Sequence, residues 1–404
     1  MITSSSTDLA ALDQERRAAI TENGWGARFT FFQPRNLAFW VWLVFVIWGT
    51  WHNLLSTIAA SYYAPAIGLA FVVFTVYGAV FWWFTQHIDR YSSQPALLRV
   101  MAFLWGGFAA TFAIAAPAND ALLSIYAKLF GQPFAMDWGP ALAAPFTEEW
   151  GKGLGILLLI ALAPGVMRTA YDGFVAGAFL GLGFQILEDV LYVAQSAPTQ
   201  FGANQIGASL GTFGVRMASG IGSHILFSAI FCTGLVYAIG LPSQPRRLGR
   251  GIGLIVLAMV LHGVWDGQSA IVASLFSGGA AIAMIIVLMC CLPLIGVAIV
   301  VRVFGMAVAG ERASIRPILA PEVASGVLTQ AEVDAAAGDR KARRRYRKDG
   351  HGPGHRHRNR HVLEAVFDLA HELGRSGGDS DERVEFARAE VLRLRQADDP
   401  AREG

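Results

Sequence analysis

Two adjacent glutamates and a lysine stand at the head of an apolar run: Phe146-Thr147-Glu148-Glu149-Trp150-Gly151-Lys152 leads directly into Gly153 to Ala163. Carboxylates at bilayer depth cost roughly 2.5–3.5 kcal/mol each even on lenient insertion scales, so they need a partner or a function. On a helix, Lys152 reaches back to Glu149 at i−3 and to Glu148 at i−4. One carboxylate can then be neutralised as an ion pair, leaving the other for proton chemistry. A salt bridge that merely lets a polar helix insert is the bland alternative.

The stretch Asp172 to Tyr192 is the second of this kind. Gly173, Gly177 and Gly181 repeat every four residues and Glu188 continues their face, which predicts close approach of a neighbouring helix beside a carboxylate. Small-residue packing explains the glycines and leaves the glutamate over. Tyr192, one turn on, is either an interfacial anchor or a hydrogen-bond partner for Glu188. Further along, His224 follows Gly220 by one turn and is either a satisfied buried histidine or a ligand. His262 and Asp266, at i and i+4, share a helix face, as a structural pair or as two groups around one substrate atom.

The elements that must hold these residues are apolar helices. Of the 404 residues 54% are hydrophobic and 15% charged, the balance of a polytopic membrane protein. Runs near the roughly 20-residue spanning length occur at Leu37 to Ile58, Pro65 to Phe84, Val100 to Pro117, Pro140 to Pro164, Gly173 to Ala194, Val215 to Gly240, Gly251 to Phe276 and Ala280 to Val301. The expected fold is therefore all-α, with about eight transmembrane helices and a hydrophilic, partly helical C-terminal tail. Asp120 to Phe130 is too short to span and reads as an interfacial helix or loop. The three cysteines lie in apolar runs, which points to packing rather than disulfides.

Arginines set the orientation. With the N-terminus inside, Arg16, Arg17, Arg28, Arg35, Arg90, Arg99, Arg168, Arg246, Arg247 and Arg250 fall on cytoplasmic connections, against Lys128 and Arg216 opposite. Both termini are expected in the cytoplasm and the protein in the cell membrane. No cleavable signal peptide is visible, so the first hydrophobic segment should serve as its own insertion signal. At 1.5 Å per residue, Glu148, Glu188, His224 and Asp266 come out about 10 to 15 Å below the extracytoplasmic surface, and His262 about 20 Å. Independent salt bridges have no reason to share a depth. A common polar chamber open to that side does.

Three regions follow: a cytoplasmic N-terminal segment (1–36), a transmembrane domain (37–301) with its catalytic core at about 140–269, and a basic cytoplasmic tail (302–404), partly helical or disordered. Helical patterning occupies Ile318 to Ala337, His361 to Gly374 and Glu382 to Gln396. Between them Arg340 to His361 carries Arg343, Arg344 and Arg345 with His351, His355, His357 and His361. It reads as a solvated stretch able to meet anionic lipid or an acidic cytoplasmic partner. No nucleic acid is expected as a partner.

The set Glu148-Glu149-x-x-Lys152, Gly181-x-Gly183-Phe184-x-x-x-Glu188, His224 and His262-x-x-Trp265-Asp266 resembles the PrsW family of intramembrane proteases. That family lies in the superfamily of type II CaaX prenyl endopeptidases and abortive-infection membrane proteins. The resemblance covers about Pro140 to Ser269, with Asp189 and Asp266 where the family often has Asn. It implies peptide-bond hydrolysis of a membrane-anchored protein or peptide in the bilayer, such as site-1 cleavage of an anti-sigma factor near the extracytoplasmic face.

Two mechanisms suit these residues. The leading one needs no metal: Glu148 or Glu149, with Glu188, activates water, His262 and Asp266 stabilise the oxyanion, His224 completes the network and Lys152 holds the other glutamate. The competing one places zinc among Glu148 or Glu149, Glu188, His224 and His262. A different class, a proton- or ion-coupled transporter, would use the same buried Glu/His cluster as a relay. No inverted repeat supports it, and the cluster lies off-centre.

Overall fold

A computed structural model describes residues 3–88, 91, 94–220, 223–350 and 354–396. The chain folds as two compact units, one of residues 29–88 and 94–307, the other of 1–28, 89–93 and 308–404. Helix α1 (Thr3–Asn23) belongs to the second unit. The first unit begins with α2 (Leu37–Ala59) and α3 (Ala64–Ile88). Next, α4 (Ala96–Leu104) runs through a π-helical stretch (Trp105–Ala115) into α5 (Ala116–Phe130). There follow α6 (Gln132–Leu162), α7 (Ala170–Ser196), α8 (Gln205–Gly220), α9 (His224–Ile239), α10 (Leu248–Leu275) and α11 (Gly278–Ala307). Among the described residues every regular element is a helix and six segments are long and apolar enough to cross a membrane. The protein is an all-α polytopic membrane protein.

Those six correspond to expected spans, and the other two expected spans explain themselves. Pro140 to Pro164 lies largely within α6, whose 31 residues carry Glu148, Glu149 and Lys152. Val215 to Gly240, expected as one helix, is broken: α8 ends at Gly220 and α9 starts at His224. Glycine is a poor helix former, and Ser223 bonds Gln185 through its hydroxyl instead of extending a helix. The break puts His224 in the first turn of α9. Asp120 to Phe130 is also corrected, because it is the end of the helix that begins at Ala96.

Helix α7 is the centre of this unit. Its apolar window is 94% buried, as a helix hydrophobic all round requires. A capping box between Thr169 and Asp172 starts it. The Gly173/Gly177/Gly181 stripe lies on α9 as the spacing predicts: a β-carbon at Gly181 would collide with the His224 carbonyl oxygen. On another face, a β-carbon at Gly183 would strike the Phe103 carbonyl oxygen. Backbone cannot give way as a side chain can. Gly181→Leu is therefore expected to lose about 3 kcal/mol or more of stability, read as a lowered thermal unfolding midpoint in detergent.

The second unit joins α1 to α12 (Ala309–Ala324), α13 (Gln330–Ala336), α14 (Arg340–Lys348), α15 (His355–Arg375) and α16 (Glu382–Gln396). The tail thus has far more regular structure than its composition promised. Apolar stripes explain it: Ile315, Ile318 and Leu319 of α12 and Val366, Leu369, Ala370 and Leu373 of α15 are buried. Glu322, also buried, accepts from Arg16 at 2.8 Å and from Arg388 at 2.6 Å and 2.8 Å. His351, among the tail histidines, lies outside the described residues.

Candidate active site

The acidic pair of α6 is divided between two environments. Glu149 is completely buried; its Oε1 accepts from Lys152 Nζ at 2.7 Å and lies 3.1 Å from His262 Nδ1, while Oε2 accepts from the Ser228 hydroxyl at 3.3 Å. Glu148 takes a hydrogen bond from Asn119 Nδ2 on Oε1, at 3.2 Å. Its other oxygen, Oε2, is buried and receives no hydrogen bond. Lys152 Nζ is 3.8 Å from that oxygen. Lys152 therefore holds Glu149, with Glu148 next to it.

Two histidines point at the vacant acceptor. His224, at the start of α9, pairs through Nε2 with Glu188 Oε2 of α7 at 2.9 Å and brings Nδ1 to 3.6 Å from Glu148 Oε2. His262, on α10, pairs through Nδ1 with Glu149 and brings Nε2 to 3.6 Å from the same oxygen. His262 Nε2 is itself buried without a hydrogen bond, although Asp266 Oδ2 stands 3.3 Å away. Ring packing fixes both imidazoles: Phe184 lies 4.8 Å from the His224 ring and Phe227 stacks on His262 at 5.0 Å. Lys152 sits 4.1 Å over the Phe184 ring, with Nζ 3.2 Å from His224 Nδ1.

A second layer holds Glu188. Arg216 of α8 reaches Glu188 Oε2 and Asp189 Oδ1, each at 2.5 Å, and lies 4.3 Å over the Tyr192 ring. Asp189 also accepts from Gln185 at 2.9 Å. Tyr192 thus packs on the guanidinium that grips Glu188.

These residues surround a cavity of about 340 Å³. Glu148, Glu188, His224, His262 and Asp266 line it, with Tyr192, Phe184, Trp265, Asn119 and Arg216. Glu149, Lys152 and Asp189 stand behind the wall. All eleven residues singled out in the sequence belong to one site, in two layers. Sequence reasoning missed Asn119, Ser228 and Arg216. Arg216 and Asn119 each carried a signal: a lone arginine in an apolar helix, and an Asn-Asp pair following Pro117.

Among the described residues, Glu148, His224 and His262 form a buried group whose donor atoms converge closely enough to share a metal ion. Bonds of about 2.0–2.2 Å place tetrahedral donors about 3.3–3.6 Å apart, which the two 3.6 Å separations approach. Each imidazole also gives its remote nitrogen to a carboxylate, the arrangement that orients metal-bound histidines. The residues fit a metal. The set differs from the one expected in the sequence, since Glu149 and Glu188 face the far sides of the two rings.

Buried carboxylates and imidazoles from α6, α7, α9 and α10 line one cavity inside an apolar helix bundle, an arrangement suited to hydrolytic chemistry in a membrane. The family model described as PrsW family intramembrane metalloprotease matches residues 94–295, half of the chain, and the chain belongs to that family. Membership implies intramembrane protease activity, exercised on a substrate within the bilayer. No curated protein matches the chain. No solved structure does either.

Proposed function

We propose that this protein is a metal-dependent intramembrane peptidase in which Glu148, His224 and His262 hold the metal. The observation that carries the reading is the double pairing just described: each imidazole is anchored by one carboxylate and turns its other nitrogen to Glu148 Oε2. A zinc ion held there would polarise the scissile carbonyl and lower the pKa of a water beside it. Everything else is the work of the chain. Glu149, clamped by Lys152 and Ser228, fixes the tautomer and tilt of His262; Glu188, clamped by Arg216, does the same for His224. Asn119 fixes Glu148. Asp266, with 21% of its side chain exposed, holds the proton taken from the attacking water and returns it to the leaving amine.

The substrate on this reading is a single-span, membrane-anchored protein, of which an anti-sigma factor is one example, cut near the extracytoplasmic face. The arginine distribution supports that side, with both termini in the cytoplasm. A metal-free glutamate mechanism is favoured by one observation, the Lys152 ammonium 3.2 Å from His224 Nδ1, where it already supplies positive charge.

Cleavage of single-span fusion proteins in reconstituted lipid separates the two. The expected result is loss of cleavage on chelation, restored by zinc, with metal bound to the wild type at one equivalent. Full activity in chelator sinks the metal reading. In the protein that folds, Glu149→Gln should lower metal affinity or cleavage rate about 10- to 100-fold, the usual cost of removing a carboxylate behind a histidine ligand, alongside a lowered unfolding midpoint from the stranded Lys152. An inactive but fully metal-loaded Glu149→Gln would instead give Glu149 a part in the chemical step rather than in holding the metal.

A further inference from the structure

We infer that the cleft between α14 and α15 is a binding site for a compact phosphate-bearing anion. The cleft has a volume of about 320 Å³ and is lined by Arg344, Arg347, Lys348, Arg356, His357 and Arg360. No carboxylate lines it. Glu364, 3.7 Å from Arg360, is the one acidic group within ion-pair distance of a lining residue among the described residues.

That shortage of counter-charge contrasts with several arginines elsewhere in the unit. Arg17 pairs with Asp379 at 2.7 Å, Arg16 and Arg388 with Glu322, Arg393 with Glu390 at 2.6 Å, and Arg375 and Arg395 with their own carboxylates. Cations gathered with one carboxylate among them repel one another, and a bound anion would relieve that repulsion. Helix dipoles explain only half of it. Arg347 and Lys348, in the last turn of α14, suit the negative end of that helix. Arg356, His357 and Arg360 occupy the first turns of α15, the positive end, where cations are disfavoured.

The charge to be matched selects the ligand class. Five cations around a small volume call for an anion with more than one charge and several acceptor oxygens, which a phosphate has and a carboxylate lacks. Guanidinium forks bind such oxygens bidentately. Phosphate chemistry of this kind comes from a phospholipid headgroup or from a free phosphate, and the site reads what they share.

The test titrates the full-length protein in detergent micelles, by calorimetry, with pyrophosphate and with dioctanoyl phosphatidylinositol 4-phosphate. Dioctanoyl phosphatidylcholine and malonate serve as mismatched controls. Saturable binding is expected, weakened about tenfold by Arg356→Gln and about a hundredfold by Arg347→Gln/Arg356→Gln. Arg383→Gln/Arg393→Gln, which removes the same charge from α16, should change it little. Arg356 is exposed, so the single variant remains informative if the double variant misfolds. Competition between the two ligands assigns phosphate chemistry of either source; binding of the lipid alone assigns a headgroup, and of pyrophosphate alone a soluble ligand. The inference is overturned if neither binds, if malonate binds as tightly, if the α16 control loses as much, or if RNA binds where pyrophosphate does not.

Discussion

Glu148→Gln is expected to abolish cleavage of a membrane-anchored substrate, by about three orders of magnitude or more, while the protein stays folded. Such a loss corresponds to about 4 kcal/mol of transition-state stabilisation. Glu148 Oε2 is the atom on which both imidazoles converge and the acidic oxygen of the pair left without a hydrogen bond. Glutamine keeps the Asn119 contact through its carbonyl and the shape of the cavity, but carries no charge for the two histidines. The variant should also lose its bound metal, which separates it from a purely structural defect. Retention of both metal and more than about a tenth of the activity would remove Glu148 from the centre of the site. Loss of activity with no metal in the wild type would favour the glutamate mechanism.

Lys152→Met is expected to destabilise the protein by about 3–5 kcal/mol, the range for deleting one member of a buried ion pair. Lys152 is completely buried, 2.7 Å from Glu149 and 3.8 Å from Glu148, with the Phe184 ring against it. Methionine fills the volume and leaves the buried Glu149 carboxylate without its cation. The thermal unfolding midpoint in detergent should fall sharply. Lys152→Met/Glu149→Gln should recover at least about half of the loss, since neutralising both partners removes the uncompensated charge. That double variant should remain impaired in cleavage, because His262 has lost its charged anchor. An unshifted midpoint in the single variant would mean that the ammonium is dispensable for folding.

How much was legible beforehand follows from the physics of each feature. Spans are a local property, set by about 20 apolar residues in a row, so α2, α3, α7, α10 and α11 could be read directly. The break before His224 was harder, because the apolar run continues through Gly220 and Ser223, and the Ser223 hydroxyl commits to Gln185 only once α7 is beside it. Asp120 to Phe130 was misread for a related reason. Its polar start at Asn119 looked like an exit from the membrane, whereas Asn119 turns into the cavity to bond Glu148.

Residue types and spacing pointed to Glu148, Glu149, Lys152, Glu188, His224, His262 and Asp266 as one group, because ionisable residues in apolar helices are costly unless they meet. The Gly173/Gly177/Gly181 stripe likewise announced a close helix neighbour. Tertiary structure decided which member does what. Adjacent glutamates on a helix point about 100° apart, so one faces the cavity and the other faces the protein, and only the placement of α9 and α10 shows which. Lys152 has both carboxylates in reach by spacing; Ser228 and His262 draw Glu149 to it and leave Glu148 to the cavity. Arg216 is remote from Glu188 in the chain, and a long-range pair of that kind leaves no periodic trace in the sequence.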